Sequence, residues 1–504
     1  MYLSRRNFLR STGLALSTGV AAASEVGDIP TSHRKRPNVV FILTDQHNVR
    51  GLGCYGGPDV ETPVLDGLAG DGVRFDRAYC QVPVCVPNRS GIFTGRYPQT
   101  LGTYTNSCPP SLAEPMLPWY LAHAGYVTGG FGKTHFSHNE ERGFMETDIT
   151  FQNYNAFLAT RGIESAFPNP PTPDEWPFCG YVGDSPIPAE LSFANWVTHN
   201  GIEFLRKHTE EPFFLYLGYY GPHPPYQAPK PYADRYDART LTLPPRYTQA
   251  QQEKRPKLMR GFQHLTESQL RATLRQYYGL CTHIDENIGR LLTELDALGL
   301  EEDTLVVFST DHGNHLGSYN RIGKTWTLHD SCLRVPLLMR WPGHIPAGHV
   351  VNGMVQSIDI LPTILELAGL DAPDTVQGES RAAEARGQCE GGRDAVFAGT
   401  WNNVDPADRS KTAWGQQCIR TRTHKLITWT TGERELYDLL KDPWEYDNIA
   451  DTPEAAPVQA RLQQELLTWW LQVQDRTVSH GKFPTADRDA IEEHLAFGRR
   501  VKGG

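Results

Sequence analysis

Four short apolar runs, each handing over at once to side chains able to do chemistry, constrain this chain more than any other feature. Val39-Val40-Phe41-Ile42-Leu43 leads into Thr44-Asp45-Gln46, and Tyr126 to Phe131 leads into Gly132-Lys133-Thr134-His135. Phe213-Phe214-Leu215-Tyr216-Leu217 leads to Pro222-His223, and Leu305-Val306-Val307-Phe308 leads into Ser309-Thr310-Asp311-His312-Gly313. The runs do not alternate between apolar and polar residues, which is the pattern of parallel strands buried on both faces. Open α/β sheets bind ligands just beyond the carboxyl ends of such strands. Four loaded strand ends therefore predict one shared site.

Helical patterns separate the runs. The clearest starts at Thr266-Glu267-Ser268-Gln269, a capping box. Leu270, Leu274, Tyr277, Cys281, Ile284, Ile288, Leu291 and Leu295 then recur at helical spacing and are expected in the core. After residue 370 the texture changes. Residues 371–394, rich in Gly, Ala and charge, read as a linker or surface loop. Strand-like pieces at Ala395–Ala398 and Lys425–Trp429 and an amphipathic helix around Val458–Val473 predict a small α+β subdomain. The expected organisation is a leader over 1–23, a main domain over 36–370, the linker, a C-terminal subdomain over 395–485 and a loosely held tail over 486–504.

The N-terminus reads as an address. Ser4-Arg5-Arg6-Asn7-Phe8-Leu9-Arg10 is a twin-arginine pattern, followed by a modestly apolar run to Ala21-Ala22-Ala23. That run is too short to span a bilayer, so the expectation is a bacterial protein exported to the periplasm and free of the membrane after cleavage. The leader carries three arginines and no acid, so its removal takes the formal charge from −10 to −13. An acidic protein is a poor nucleic-acid binder, and an anionic substrate would have to be met by a local cluster of cations.

Nine cysteines form neither a CxxC pair nor a zinc-knuckle spacing, which argues against structural zinc. The odd number leaves one without a disulfide partner, with Cys85 the candidate for a separate role. Gly132-Lys133-Thr134 and Gly323-Lys324-Thr325 imitate P-loop endings, but the glycine required five positions upstream is Val127 in one and Ser318 in the other. Nucleotide binding through a P-loop is set aside. Cys85-Val86-Pro87-Asn88-Arg89, continued by Ser90-Gly91-Ile92-Phe93-Thr94-Gly95-Arg96, is the decisive stretch. Taken alone, it is also compatible with a buried, inert cysteine.

In this stretch the chain resembles the formylglycine-dependent sulfatases of the alkaline-phosphatase-like superfamily. The likeness runs on through Pro37-Asn38-Val39 to Asp45, Glu61–Asp66, Gly132-Lys133 with His135, Asp311-His312-Gly313, Lys324, Arg334–Leu337, Arg420-Thr421-Arg422 with Lys425-Leu426, and Glu435–Leu439. It implies a large mixed, mostly parallel sheet flanked by helices, with a smaller C-terminal α+β subdomain. It also implies that a maturase oxidises Cys85 to formylglycine. A hydrated aldehyde carries two hydroxyls on one carbon: one attacks sulfur, and deprotonation of the other breaks the C–O bond and expels sulfate.

By the same resemblance Asp45, Gln46, Asp311 and His312, with residue 85, hold a divalent cation that polarises the sulfate. Calcium is expected, with manganese the alternative because imidazole is a softer ligand than carboxamide. Read singly, an Asp at a strand end also caps the next helix and a loop His also hydrogen-bonds locally. Arg89 is expected to hold the nucleophile and metal oxygens, and Lys133 and Lys324 to neutralise transition-state charge. His135 would deprotonate the second hydroxyl, His223 with Lys324 would assist the leaving alcohol, and Asn106 falls near the sulfate. Tyr219–Tyr226 is a candidate apolar wall, and His47, His138, His315 and His329 are placed at the pocket mouth without roles. The substrate is expected to be a sulfated carbohydrate or other small sulfate ester. Two alternatives remain: a phosphonate monoester or phosphodiester, favoured by the Asp-Gln and Asp-His pairs where many sulfatases have Asp-Asp and Asp-Asn, or a non-catalytic binder of sulfated glycans if Cys85 stays unmodified. Loops 136–190 and 226–265, which would select the alcohol, carry no readable pattern.

Overall fold

The four apolar runs lie side by side at the centre of one sheet. A computed structural model describes residues 36–149, 151–164, 182–245, 247–260, 265–324, 327–402 and 414–473. The twin-arginine segment, Cys179 and the tail lie outside the described residues. The strands are β1 (Asn38–Thr44), β2 (Val73–Tyr79), β3 (Val127–Gly132), β4 (Glu146–Asp148), β5 (Phe213–Gly218), β6 (Thr304–Thr310), β7 (Arg334–Val335), β8 (Leu337–Arg340) and β9 (His349–Gln356). Among the described residues they pair in the order β4-β3-β5-β1-β6-β8-β2-β7, with β9 also on β2. From β4 to β6 all pairings are parallel, whereas β8 and β7 pair antiparallel and β9 pairs parallel. The sheet is large, mixed and mostly parallel, as expected.

The missing alternation has a direct cause. Val39, Phe41 and Leu43 join the hydrophobic cluster on one face, while Val40 and Ile42 join the cluster on the other. Leu305 and Val307 divide from Val306 and Phe308 in the same way. Each fully buried Val, Leu, Ile or Phe contributes about 1.5–3 kcal/mol, so a strand covered on both faces has no use for polar residues. The helix Glu267–Ala297 begins at a Thr266/Gln269 capping box and buries all eight residues picked out by periodicity. Helix Phe193–Lys207 packs against it and against β3 and β5.

The C-terminal part forms a separate antiparallel sheet of β10 (Ala395–Asn402), β11 (Trp414–Thr421), β12 (His424–Trp429) and β13 (Arg434–Asp438). Helix Ala456–Val473 covers it, with Leu462, Leu466, Trp469 and Val473 packed against Ile419, Leu426 and Leu436. Residues 371–394 do more than link: they include helix Ala382–Ala385 and bury Arg381 and Glu384. Buried Asp359 holds this segment through Arg381 at 3.3 Å and Arg393 at 2.6 Å. Among the described residues no helix is long and apolar enough to cross a membrane.

Candidate active site

Strand register sets the first contact of the site. β1 and β6 pair with Thr44 opposite Thr310, so the next residues, Asp45 and Asp311, leave adjacent strand ends together. The turn after β1 is tight: Gln46 has φ 65°, a left-handed conformation that costs a non-glycine residue about 1–3 kcal/mol. In return the Gln46 N–H donates to Asp311 Oδ1 at 3.0 Å, and the His312 N–H donates to the same oxygen at 2.9 Å. On the other side of β5, Gly132 pairs with Gly218. A Cβ on Gly132 would stand 2.3 Å from the Gly218 carbonyl oxygen, so glycine is required for Lys133 to turn back over the sheet.

Cys85 opens the buried helix Cys85–Thr94, whose N-terminus faces these strand ends. An N-terminus favours negative charge. Its free N–H groups are capped from a distance, Asn106 Oδ1 accepting from Val86 N–H at 3.0 Å. The Cys85 sulfur lies 3.2 Å from His312 Nε2, 3.1 Å from Lys324 Nζ and 3.7 Å from Asp45 Oδ1. Burial pushes this thiol up, but Lys324, Lys133 and His312, with a hydrogen bond from His135, hold it well below its ordinary value. The eight described cysteines are free.

Arg89, one turn along the same helix, is fully buried and joins the strand ends to one another. Its Nε donates to Asp311 Oδ2 at 2.8 Å, and its Nη1 donates to Lys133 O at 2.7 Å and Tyr216 Oη at 2.9 Å. Its Nη2 donates to Asp45 Oδ2 at 3.3 Å and Thr44 O at 3.4 Å. A planar fork with fixed donors suits this role better than a lysine would. Lys133 Nζ makes a 2.6 Å ion pair with Asp45 Oδ2 and sits 4.7 Å above the Tyr220 ring. Asp45 is held low despite its burial, with Lys133, His223 and Arg89 as the cationic neighbours. Asp311 goes the other way, raised by burial and then by the Asp45 charge.

Side-chain donor atoms of Asp45, Cys85, Asp311 and His312 all lie within 4.8 Å of one another, and Gln46 shares the Asp45 turn. Carboxylate and imidazole donors that converge so closely can share one hard or borderline divalent ion, so the donor set fits such a cation. His312 Nδ1 is bonded to Gly313 O at 3.0 Å, leaving Nε2 facing the cluster. His223 Nδ1 lies 2.7 Å from Pro224 O, which makes Nε2 its free nitrogen. His135 is exposed at φ 67°, at the rim.

Other expectations need correction. His47, His315 and His329 do not line a pocket mouth: all three are buried, bonded to Gly51 O, to Thr327 and Ser331, and to Tyr437 respectively. His138 is exposed. Within Tyr219–Tyr226, Tyr219 is buried against Thr198 and Tyr226 against Asn314, and Tyr220 is the tyrosine that reaches Lys133. Sequence reading missed Tyr216 and Asn88. Asn88 donates to Asp311 O at 2.5 Å and accepts from Gln81 N–H, and its place inside the Cys85–Arg89 stretch was a usable signal. Tyr216, inside a uniformly apolar strand, offered none.

A family model described as Sulfatase matches residues 37–370, and one described as N-sulphoglucosamine sulphohydrolase, C-terminal, matches residues 317–472. An ulvan-active sulfatase of Formosa agariphila is 31% identical over 88% of this chain and 82% of its own length. An N-acetylglucosamine-6-O-sulfatase of Bacteroides thetaiotaomicron is 27% identical over 86% of each. Among solved structures, a phosphonate monoester hydrolase from Silicibacter pomeroyi superposes with TM-score 0.77 at 27% identity, covering 88% of this chain and 97% of that one.

Proposed function

The chain belongs to the sulfatase family and is a sulfatase enzyme, and from that premise we propose that it releases inorganic sulfate from a sulfated carbohydrate, using a formylglycine made from Cys85 and a divalent cation. The observation that carries this reading is the position of residue 85, at a helix N-terminus within 3.1 to 3.7 Å of Lys324, His312 and Asp45. The sugar as substrate is supported by relatives named for ulvan and for N-acetylglucosamine 6-O-sulfate.

Formylglycine would supply a nucleophile that can later release the sulfate it accepts. Asp45, Gln46, Asp311 and His312 would hold the cation, which when bound polarises sulfate oxygens. Calcium suits a set dominated by oxygen donors, with manganese the alternative that His312 admits. Arg89 fixes both carboxylates and the Lys133 backbone, so the site is set before substrate arrives. Lys324 and Lys133 offset charge gathering on the transferring group. His135, whose ring reaches residue 85, takes the proton which that side chain gives up. His223, with Nδ1 committed to Pro224, uses Nε2 to protonate the departing alcohol oxygen. The twin-arginine pattern supports export of the protein to the periplasm.

Mass analysis of the peptide carrying residue 85 should give the aldehyde, and sulfated sugars should release sulfate. Stripping metal should stop turnover, and calcium should restore it better than magnesium. An unmodified cysteine with no turnover would leave a glycan binder. Phosphate release from a phosphonate or phosphate ester faster than sulfate release, with recovery by manganese alone, would favour the second reading, which the Asp45-Gln46 and Asp311-His312 pairs and the Silicibacter pomeroyi neighbour support.

A further inference from the structure

Beside the Cys85 cluster is a pocket of about 100 Å³. Tyr220 and His223 belong to both: Tyr220 lies over Lys133, His223 faces Asp45, and the two rings are 4.8 Å apart while lining the pocket. Phe151 and Gln227 in its walls come from segments in which the sequence showed no pattern, and Tyr220 from the stretch expected to form an apolar wall. Phe151 and Phe193 stack with centroids 5.0 Å apart and planes 28° apart, and Phe151 meets Tyr220 at 5.0 Å and 86°. The three rings thus form an angled corner, and each remains only half-buried. Behind them Tyr154 braces Phe193 edge-on at 5.1 Å. Ser192 caps the helix that Phe193 begins, accepting from Asn195 N–H at 3.1 Å, so the corner rests on a rigid element. Ser185 and Gln227 add polar groups to the lining.

We infer that this corner is the subsite for the alcohol part of the ester, and that it takes a single six-membered ring laid against Phe193 and Tyr220. The inference rests on the hydrolase reading for its direction: the alcohol leaves on the His223 side, and His223 lines this pocket. Size limits the occupant to one ring, since an apolar cavity of about 150 Å³ accommodates benzene and this one is smaller and open on one side. Aromatic walls favour a ring with an apolar face, which an aryl group or the C–H face of a pyranose presents and a flexible chain does not. The Ser185 hydroxyl already donates to Ile187 O and accepts from Ile187 N–H, so Gln227 is the side chain that can meet a hydroxyl of such a ring.

The test uses the full chain carrying Cys85→Ala, so that binding is read without turnover. Titration calorimetry compares phenyl sulfate, a monosaccharide 6-sulfate and n-butyl sulfate. At least one ring ester should bind roughly tenfold more tightly than the chain ester, the equivalent of about 1.4 kcal/mol of aromatic contact. Adding Phe193→Ala should reduce that preference to twofold or less. If that variant melts early, Phe151→Leu, which keeps most of the volume and removes the ring, should lower the preference in the same way. A preference confined to phenyl sulfate makes the occupant aryl, and one confined to the sugar makes it a pyranose. Equal binding of ring and chain esters, a preference that survives loss of both phenyl rings, or no binding of any ester overturns the inference. Sulfate release by the wild-type enzyme is scored separately, so failure of the hydrolase reading remains distinguishable from failure of the subsite.

Discussion

Two clusters of buried charge lie in this molecule, and they are balanced differently. Under the C-terminal sheet, Lys425 Nζ is 2.6 Å from both Asp330 and Glu445, and Arg420 is 3.2 Å from Asp330. Nearby, Arg255 lies 3.9 Å from Glu435, which also accepts from Tyr437 at 2.6 Å and Trp429 at 2.9 Å. Each of these acids has its own cation, and Glu445 also accepts from Asp330 N–H at 2.7 Å. At the strand ends, by contrast, Asp45 and Asp311 face Arg89, Lys133 and Lys324, and histidines surround them. That excess of cations over one point leaves room for an anion. A charge cluster that cancels internally holds a fold together; one that does not is built for something that arrives.

Breaking the two clusters should therefore give opposite signatures. The largest effect is expected from Cys85→Ala, which should take sulfate release to background while the melting temperature stays near that of wild type. Turnover well above background in that variant would remove residue 85 from the chemistry. Lys425→Met should act on stability, leaving Glu445 buried without its cation and Asp330 with Arg420 alone, at a cost of about 3–5 kcal/mol in urea unfolding. A wild-type urea midpoint would mean that the C-terminal cluster contributes nothing net. Lys324→Ala should do the reverse, slowing sulfate release ~10²-fold, or about 3 kcal/mol, with little change in melting.

The smallest effect concerns pH. Burial raises Glu435, but its hydrogen bonds and the neighbouring cation bring it down to about 2, and burial takes His329 down to about 4. His329, 3.5 Å away and protonated below about pH 4, is the largest of the groups that keep Glu435 ionised, ahead of Arg255 and Tyr437. A carboxylate with a lowered folded pKa contributes stability that is present above its unfolded value near 4.5 and is lost as pH falls toward 2. His329, neutral in the fold, loses its contribution over the range from 6.5 down to 4. Glu435→Gln should therefore flatten the acid limb of stability against pH by on the order of 2 kcal/mol between pH 4.5 and 2. An unchanged acid limb in that variant would place the sensitivity elsewhere.

What was readable from the chain alone was local. Apolar runs without alternation announced doubly covered strands because burial on both faces removes polar residues at every position, and β1, β3, β5 and β6 follow those runs closely. The Cys85–Arg89 stretch was legible as a motif, and the structure makes it the first turn of a helix, which sets Arg89 one turn from Cys85. Only the tertiary structure decided which strands are neighbours, and hence that Asp45 meets Asp311 and that Lys133 pairs with Asp45. It also decided that His47, His315 and His329 are internal, that Tyr216 serves Arg89, and that Phe151 and Phe193 form a corner beside His223. The physical reason is that strand pairing and side-chain partnership depend on register between segments up to some 270 residues apart. Periodicity along the chain names the elements but carries no information about which of them will meet.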